Sequence, residues 1–333
     1  LRMIKILSEF IALKTNMAKN FWETLRKRSR PILALAPMAG FTDSAFRQIC
    51  KKYGADVLYS EMASVTALFY NQNKKKNLTL DLLRFNRQKE KYYVVQLFGA
   101  NPEHFAVAAR IITEKIKPDG IDINFGCPVP KIIKQGAGSG LMKDLAGARA
   151  VIKAVLANTD LPVSIKIRAQ AGNVDVQKFL KNIIDLPVAA LMIHGRTLKQ
   201  GFAGQPDWKV VKEARKYFSG VILANGGIND LVSAKKALRE SKADGLGLAR
   251  GVLGRPWLYK EIKKDQVINL KAEEIFKIVL QQAELKQAQK GKRGLVEFRK
   301  QAVWYMQGMV GAAKLREQLV KVNSLAEIKK ILK

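Results

Sequence analysis

The feature that most constrains this chain is a repeat. From Pro31 onward a short apolar run ends in a polar or glycine-bearing loop, and a stretch with helical spacing follows. The runs occupy residues 32–36, 57–59, 93–97, 120–124, 163–167, 190–193, 221–224 and 245–248. Between them, residues 105–115 and 145–157 place apolar side chains at helical intervals. Runs that are apolar throughout describe strands covered on both faces, hence a parallel sheet with helices outside it. Eight such βα units over about 230 residues predict an α/β fold, a closed (β/α)8 TIM barrel. The runner-up is an open doubly wound sheet, but no Gly-x-Gly-x-x-Gly opens its first helix.

After Trp257 the character changes. Residues 262–333 contain no strand-like run and no proline. Residues 281–289, 296–309 and 325–332 read as helices, the last with Ser324 as N-cap, and Gly291, Gly294, Gly308 and Gly311 punctuate the region. The expected organisation is a barrel over 31–260, a small all-helical domain over 261–333, and an N-terminal extension or leader over 1–30. The start of that leader is apolar but broken by Lys5 and Glu9 and lacks a small-residue cleavage site, so no signal peptide is expected. Its basic run, Arg26-Lys27-Arg28 with Arg30, is expected to be solvated.

Charge narrows the partners. Lys and Arg number 59 against 28 Asp and Glu, a formal net charge of +31. Such an excess favours a polyanion, either nucleic acid or an anionic membrane surface, unless the whole proteome is basic. The surplus is spread along the chain: from Lys260 onward there are 17 basic and 8 acidic residues. No apolar run reaches the length of a membrane span, so no membrane association is expected. Two cysteines and two histidines support neither a disulfide framework nor a metal site. These readings describe a cytoplasmic enzyme.

Barrels of this kind carry their active sites at the C-terminal ends of the strands, and unusual residues cluster there. Pro37, Met38 and Ala39 follow the first strand, Gln96 ends the third, Lys166 lies in the fifth and His194 ends the sixth. Asn225-Gly226-Gly227 ends the seventh strand and Ala249-Arg250-Gly251 the eighth, where barrels commonly bind phosphate on backbone N–H groups. A lysine inside an apolar strand needs an anion, either an ion-pair partner across the barrel or a ligand. A lone histidine such as His194 is compatible with a structural or a functional role. Cys127 stands between Gly126 and Pro128 in a glycine-rich loop that also bears Lys131 and Lys134 and is expected to be mobile. A thiol there can be a nucleophile or a general acid. Cys50, on a helix, reads as a small buried residue.

In order and spacing these segments resemble the tRNA-dihydrouridine synthase family, in its bacterial branch. The resemblance runs from Leu35 to the C-terminus. It rests on Ala36-Pro37-Met38-Ala39-Gly40, Ser60-Glu61-Met62, Gln96-Leu97-Phe98-Gly99, Asn124-Phe125-Gly126-Cys127-Pro128, His194-Gly195-Arg196-Thr197, Asn225-Gly226-Gly227-Ile228 and Gly254-Arg255-Pro256-Trp257. It implies FMN at the barrel mouth, NADPH as electron donor, tRNA as substrate and a C-terminal helical domain that holds the tRNA. It further implies hydride transfer from the flavin to C6 of a uridine and a proton from Cys127 to C5. Pro37, Met38 and Ala39 would line the flavin; Gln96, Lys166 and His194 would contact its ring or tail. Asn225, Gly226, Gly227, Ala249 and Arg250 would hold the phosphate end. Lys131, Lys134, Arg299 and Lys300 are the candidate RNA contacts. Three positions depart from the family pattern: Gly227 replaces a frequent acidic residue, Ala249 a glycine and Gln301 a histidine. The alternative function is a flavin barrel oxidoreductase acting on a small pyrimidine.

Overall fold

The computed structural model describes residues 20–333; the first nineteen residues of the expected leader lie outside the described part. Its centre is a closed barrel of parallel strands: β1 (Ile32–Leu35), β2 (Val57–Tyr59), β3 (Tyr93–Phe98), β4 (Gly120–Asn124), β5 (Val163–Ala171), β6 (Ala190–Thr197), β7 (Val221–Asn225) and β8 (Gly245–Leu248). Neighbours in sequence pair in space, and β8 closes on β1 from Ile32↔Gly245 to Leu35↔Leu248. All eight apolar runs are therefore strands. β5 and β6 extend beyond the apolar part because their polar continuation stays in the ladder, with Arg168 opposite His194.

Side chains alternate across each strand. Leu33, Leu35, Val95, Leu97, Ile121, Ile123, Ile165 and Ile167 face the helical shell. Ala34, Val57, Tyr59, Val94, Met192 and Leu223 fill the barrel interior. Gly247 has to be small there, since a Cβ would stand 2.7 Å from the Met192 sulfur. Both faces are apolar in the lower half, which is why the runs read as continuous.

The lower end is closed by a helix that the sequence reading had left as solvated leader. In α1 (Phe21–Arg26), Trp22 and Leu25 are fully buried and join the interior cluster with Ile32, Val57, Tyr59 and Val221. The basic run is engaged with the protein. Arg26 donates to the Ser219 carbonyl at 2.8 Å, and Arg28 and Arg30 both bond the Asp56 carboxylate. Apart from its six-residue length, α1 differs from a leader in one way: its apolar residues Phe21, Trp22 and Leu25 share one face.

The helical region packs on the opposite end of the barrel's first unit. It comprises α3 (Ala272–Tyr305), α4 (Ala312–Leu319) and α5 (Leu325–Ile331), where α2 is the barrel helix Ser44–Lys52. α3 is two helices joined at Gly291, whose φ of 57° and ψ of −143° interrupt the ladder. The two anticipated central helices are its halves, although it begins earlier, at Ala272. Ser324 caps α5 as expected, accepting from the Glu327 N–H at 3.2 Å. α4 was not anticipated. It lies beyond Gly308 and Gly311, which take the left-handed conformation at φ 76° and 70° and end one helix before the next begins.

The contact with the barrel has an apolar and a polar part. Ile49 of α2 and Trp257 join the helical core of Ile278, Val279, Phe298, Tyr305 and Met306. Beside them the buried Lys286 ammonium pairs with Asp43, the N-cap of α2. Gln301 donates to the same carboxylate at 3.1 Å and to the Phe41 carbonyl at 3.2 Å. Gly254 meets the backbone of α3, so that a Cβ there would lie 2.2 Å from the Trp304 carbonyl oxygen.

Removing the plug should be costly. Trp22→Ala deletes a fully buried aromatic side chain and is expected to lower unfolding free energy by about 3 kcal/mol or more. Urea unfolding checks this, and a midpoint equal to that of the unchanged chain would show that α1 is not part of the core.

Candidate active site at the barrel mouth

The C-terminal ends of the strands surround a cavity of about 390 Å³. Its wall contains Cys127, Pro37, Met38, Ala39, Gln96, Lys166, His194, Asn225, Gly226, Gly227, Ala249 and Arg250. Every catalytic and cofactor candidate from the sequence is thus brought to one place. Trp304 of α3 completes the wall from the helical side, with Phe202 and Met62 from barrel loops.

The electrostatics of the cavity are one-sided. Lys166, Arg168, Arg196 and Arg250 all line it, with no carboxylate among the lining residues. Arg168 is engaged by carbonyls, donating to Gly126 at 2.8 Å and Gly201 at 3.0 Å. Arg196 donates to the Gly204 carbonyl at 3.0 and 2.8 Å. Among the described residues, the side chains of Lys166 and Arg250 have no hydrogen-bond or ion-pair partner; the exposed Arg250 guanidinium lies over the Phe202 ring at 4.4 Å. Burial, aided by Arg168, pulls Lys166 down to about 8 against the attraction of Asp122. His194 is pulled down to about 2 by burial and then by Lys166, Arg168, Arg196 and Arg250. Its imidazole is therefore neutral, with Nε2 at 3.4 Å from the Arg196 guanidinium. Two cations without counter-ions, the half-buried Lys166 and the exposed Arg250, thus leave unpaired positive charge at the barrel mouth, suited to an anion.

The end of β7 is shaped by glycine. Gly226 and Gly227 take φ of 103° and 66°, and a Cβ on Gly226 would lie 2.3 Å from the His194 ring. The Asn225 amide donates to the Gly247 carbonyl at 2.7 Å and ties β7 to β8. Asn225 therefore fixes the turn, with its amide nitrogen already engaged.

The Cys127 loop, expected to be mobile, is tied down. Asn124 Oδ1 accepts from the N–H groups of Gly126 and Cys127 at 2.9 and 3.0 Å, and the Cys127 carbonyl accepts from Ser139 N at 3.1 Å. Gly138, at φ 58°, leaves room for the thiol's own Cβ, which a side chain there would approach to 2.8 Å. Lys131 and Lys134 sit on the exposed short helix Pro130–Lys134 beyond it. Cys50 is fully buried on α2, and burial pushes its thiol well above the ordinary range.

Of the two helical candidates, only Lys300 is free for an outside partner. It is exposed, with its ammonium 5.3 Å from the Phe41 ring centroid beside the barrel mouth. Arg299 donates to the Val322 carbonyl and to Asn323 Oδ1, both at 2.8 Å, and staples α3 to the segment before α5. Sequence reasoning left Asn124, Arg196, Phe202 and Trp304 out of the candidate set. Asn124 and Arg196 stood inside the motifs, whereas Phe202 and Trp304 carry no local signal and reach the site through tertiary packing.

A closed (β/α)8 barrel with a cationic, thiol-bearing cavity at its C-terminal mouth is the architecture of a barrel enzyme. The family model for dihydrouridine synthase (Dus) matches residues 34–333. A probable tRNA-dihydrouridine synthase of Aquifex aeolicus is 31% identical over 300 residues, covering 89% of this chain and 93% of the relative. tRNA-dihydrouridine synthase B of Pasteurella multocida is 34% identical over 283 residues, covering 83% of each. The chain belongs to the dihydrouridine synthase family. Among solved structures, an old yellow enzyme homologue from Zymomonas mobilis aligns with a TM-score of 0.51 at 14% identity, over 73% of this chain and 91% of that one. Histamine dehydrogenase from Rhizobium sp. 4-9 aligns at 0.54 and 12%, over 76% and 49%. These likenesses concern the fold.

The depressed His194 has a pH consequence. An unfolded histidine takes up a proton near ~6.5, while the folded one stays neutral down to about 2. Stability therefore falls as pH drops below about 6.5, because the proton binds the unfolded chain. His194→Gln is expected to flatten this acid slope, measured by chemical denaturation between pH 7 and 4. An unchanged slope would show that His194 is charged in the folded protein.

Proposed function

We propose that this enzyme reduces uridines in tRNA to 5,6-dihydrouridine, with FMN as its bound cofactor and NADPH as the reductant. The observation that carries the reading is the pair of cations without counter-ions, Lys166 and Arg250, lining the same cavity as Cys127. A phosphate-bearing, electron-rich ring fits that donor set. Arg250, Gly226, Gly227 and Ala249 suit the phosphate end. Lys166 and Gln96 suit the polar edge of the ring, His194 offers a neutral imidazole, and Pro37, Met38 and Ala39 provide an apolar wall. With Gly227 in the left-handed region and no acidic side chain there, that contact falls to backbone.

Bound and reduced by NADPH, FMN supplies a hydride for C6 of the uracil ring. The C5=C6 bond is electron-poor, so the electron pair displaced from it settles on C5 and the neighbouring carbonyl, and C5 needs a proton. Cys127 holds that proton on Sγ and leaves as thiolate, to be reprotonated from solvent. The Asn124 turn keeps the thiol in place during the transfer. Trp304, Met62 and Phe202 add apolar surface to the cavity wall.

The substrate reading follows the names of the relatives, which are tRNA-dihydrouridine synthases, and the +31 charge. A uridine has to leave its stack to enter such a cavity. Lys131 and Lys134 on one side and Lys300 on the other are exposed for phosphate contacts. In this reading residues 31–260 hold the flavin, 261–333 the tRNA, and the enzyme works in the cytoplasm. Among the described residues, no helix is long and apolar enough to cross a membrane.

Cys127→Ala is expected to keep flavin while slowing reoxidation of the reduced flavin by tRNA at least ~100-fold. Turnover equal to that of the unchanged enzyme would remove the acid role. Lys166→Ala and Arg250→Ala should purify with little FMN, read from the flavin absorbance per protein. A full flavin complement in either would overturn its assignment.

A further inference from the structure

Beneath the cavity lies a row of buried polar side chains, of which Asp122 and Ser164 have no part in the chemistry above. The register sets Gln96 of β3, Asp122 of β4 and Ser164 of β5 side by side. Ser164 Oγ donates to Asp122 Oδ1 at 2.7 Å, and Gln96 Nε2 donates to Asp122 Oδ2 at 2.7 Å. Gln96 Oε1 in turn accepts from Asn124 Nδ2 at 2.9 Å. That leaves Asn124 Oδ1 to accept the two N–H groups of Gly126 and Cys127. Asp122 and Ser164 are fully buried and do not line the cavity, so neither touches a ligand held there.

A carboxamide presents a donor at one end and an acceptor at the other in nearly the same shape. Two in series can therefore point either way unless something at one end sets their sense. A carboxylate only accepts. We infer that Asp122 is a positioning residue for Cys127: it turns the Gln96 amide, Gln96 turns the Asn124 amide, and Asn124 holds the backbone that carries the thiol. With the sense reversed, the Asn124 NH2 would face two N–H donors and the turn at Gly126–Cys127 would open. The charged groups around Asp122 fit this role. Lys166 on β5 favours the carboxylate, while burial pushes the Asp122 carboxyl up to about 6. The buried Tyr59 phenol of β2 also faces it; burial and then Asp122 raise its ionisation, against the nearby Ser164 hydroxyl, although its oxygen makes no hydrogen bond of normal geometry. The importance of the thiol rests on the proposed function; the sense of the relay does not.

The test separates orientation from mere packing. Asp122→Leu removes the acceptor. Asp122→Asn can keep its carbonyl toward Gln96 while giving its N–H to the Ser164 hydroxyl. In Asp122→Asn with Ser164→Ala that second partner is gone and the amide is free to flip. Two readouts are followed in each FMN-loaded protein: the rate at which iodoacetamide alkylates the Cys127 peptide, and reoxidation of the reduced flavin by tRNA. Asp122→Leu and the double variant are expected to slow reoxidation ~10-fold or more, as small misplacements of a reacting group do, and to change the alkylation rate by several-fold. Asp122→Asn alone should stay within ~3-fold of the unchanged enzyme in both. Flavin content and flavin reduction by NADPH are measured for every variant, and the two readouts are compared at equal flavin loading. The inference is overturned if the double variant matches Asp122→Asn alone in both readouts, a comparison that holds even where Asp122→Leu does not fold. Alkylation needs no substrate. A protein that reduces no uridine, yet whose Cys127 reactivity follows the variants as stated, would refute the function and leave the relay standing.

Discussion

The arrangement at the barrel mouth depends on an excess of positive charge gathered around one cavity. Four cationic side chains line one cavity, and no carboxylate lines it with them. Carbonyl oxygens engage Arg168 and Arg196, which leaves Lys166 and Arg250 unpaired among the described residues. Desolvating an unpaired cation, as at the half-buried Lys166, is costly, and an anion in the cavity would offset that cost. Burial, reinforced by the same field, keeps His194 neutral, so its imidazole can accept as well as donate. Asp122, a buried carboxylate beneath the cavity, has its oxygens engaged by Ser164 and Gln96 and so directs hydrogen bonds as well as attracting Lys166.

Strand structure explains why so much of this was legible in the sequence. A parallel barrel covered by helices buries both faces of its strands, and the eight apolar runs record that burial directly. The fold then delivers all strand ends to one face, so candidates spread from Pro37 to Arg250 meet in one cavity without any knowledge of distances. Legibility failed where hydrogen bonding continued after apolarity stopped, as in β5 beyond Ile167 and β6 beyond Ile193. It failed again where an element's meaning depended on what it packs against. Phe21, Trp22 and Leu25 look like a leader until the open lower end of a barrel is there to receive them. Arg299 looks like a phosphate contact until the carbonyl of Val322 is placed beside it. Asp122 sits inside a strand read as apolar, and its partners Gln96 and Ser164 are distant in sequence, so only the strand register reveals the row.

The helical region is coupled to the barrel at the point where the cavity opens. The buried Lys286–Asp43 pair, the Gln301 amide and the close approach of Gly254 to Trp304 fix α3 against the loop after β1. Gln301 is buried in this junction and fixes the two parts to each other. The same contact carries Trp304 into the cavity wall and sets Lys300 beside Phe41 at its rim. One rigid junction thus supplies both a wall for the small ligand and an exposed cation for a larger one.

The central claim is that this cavity delivers one hydride and one proton across the C5=C6 bond of a uridine in tRNA. The most direct measurement takes an unmodified tRNA transcript, incubates it with the enzyme, FMN and NADPH, digests it with nucleases and weighs the fragments. A fragment containing uridine is expected to gain the mass of two hydrogen atoms, and omission of NADPH is expected to abolish the gain. Fragments of unchanged mass across a set of transcripts, from a protein that carries its flavin and is reduced by NADPH, would contradict it.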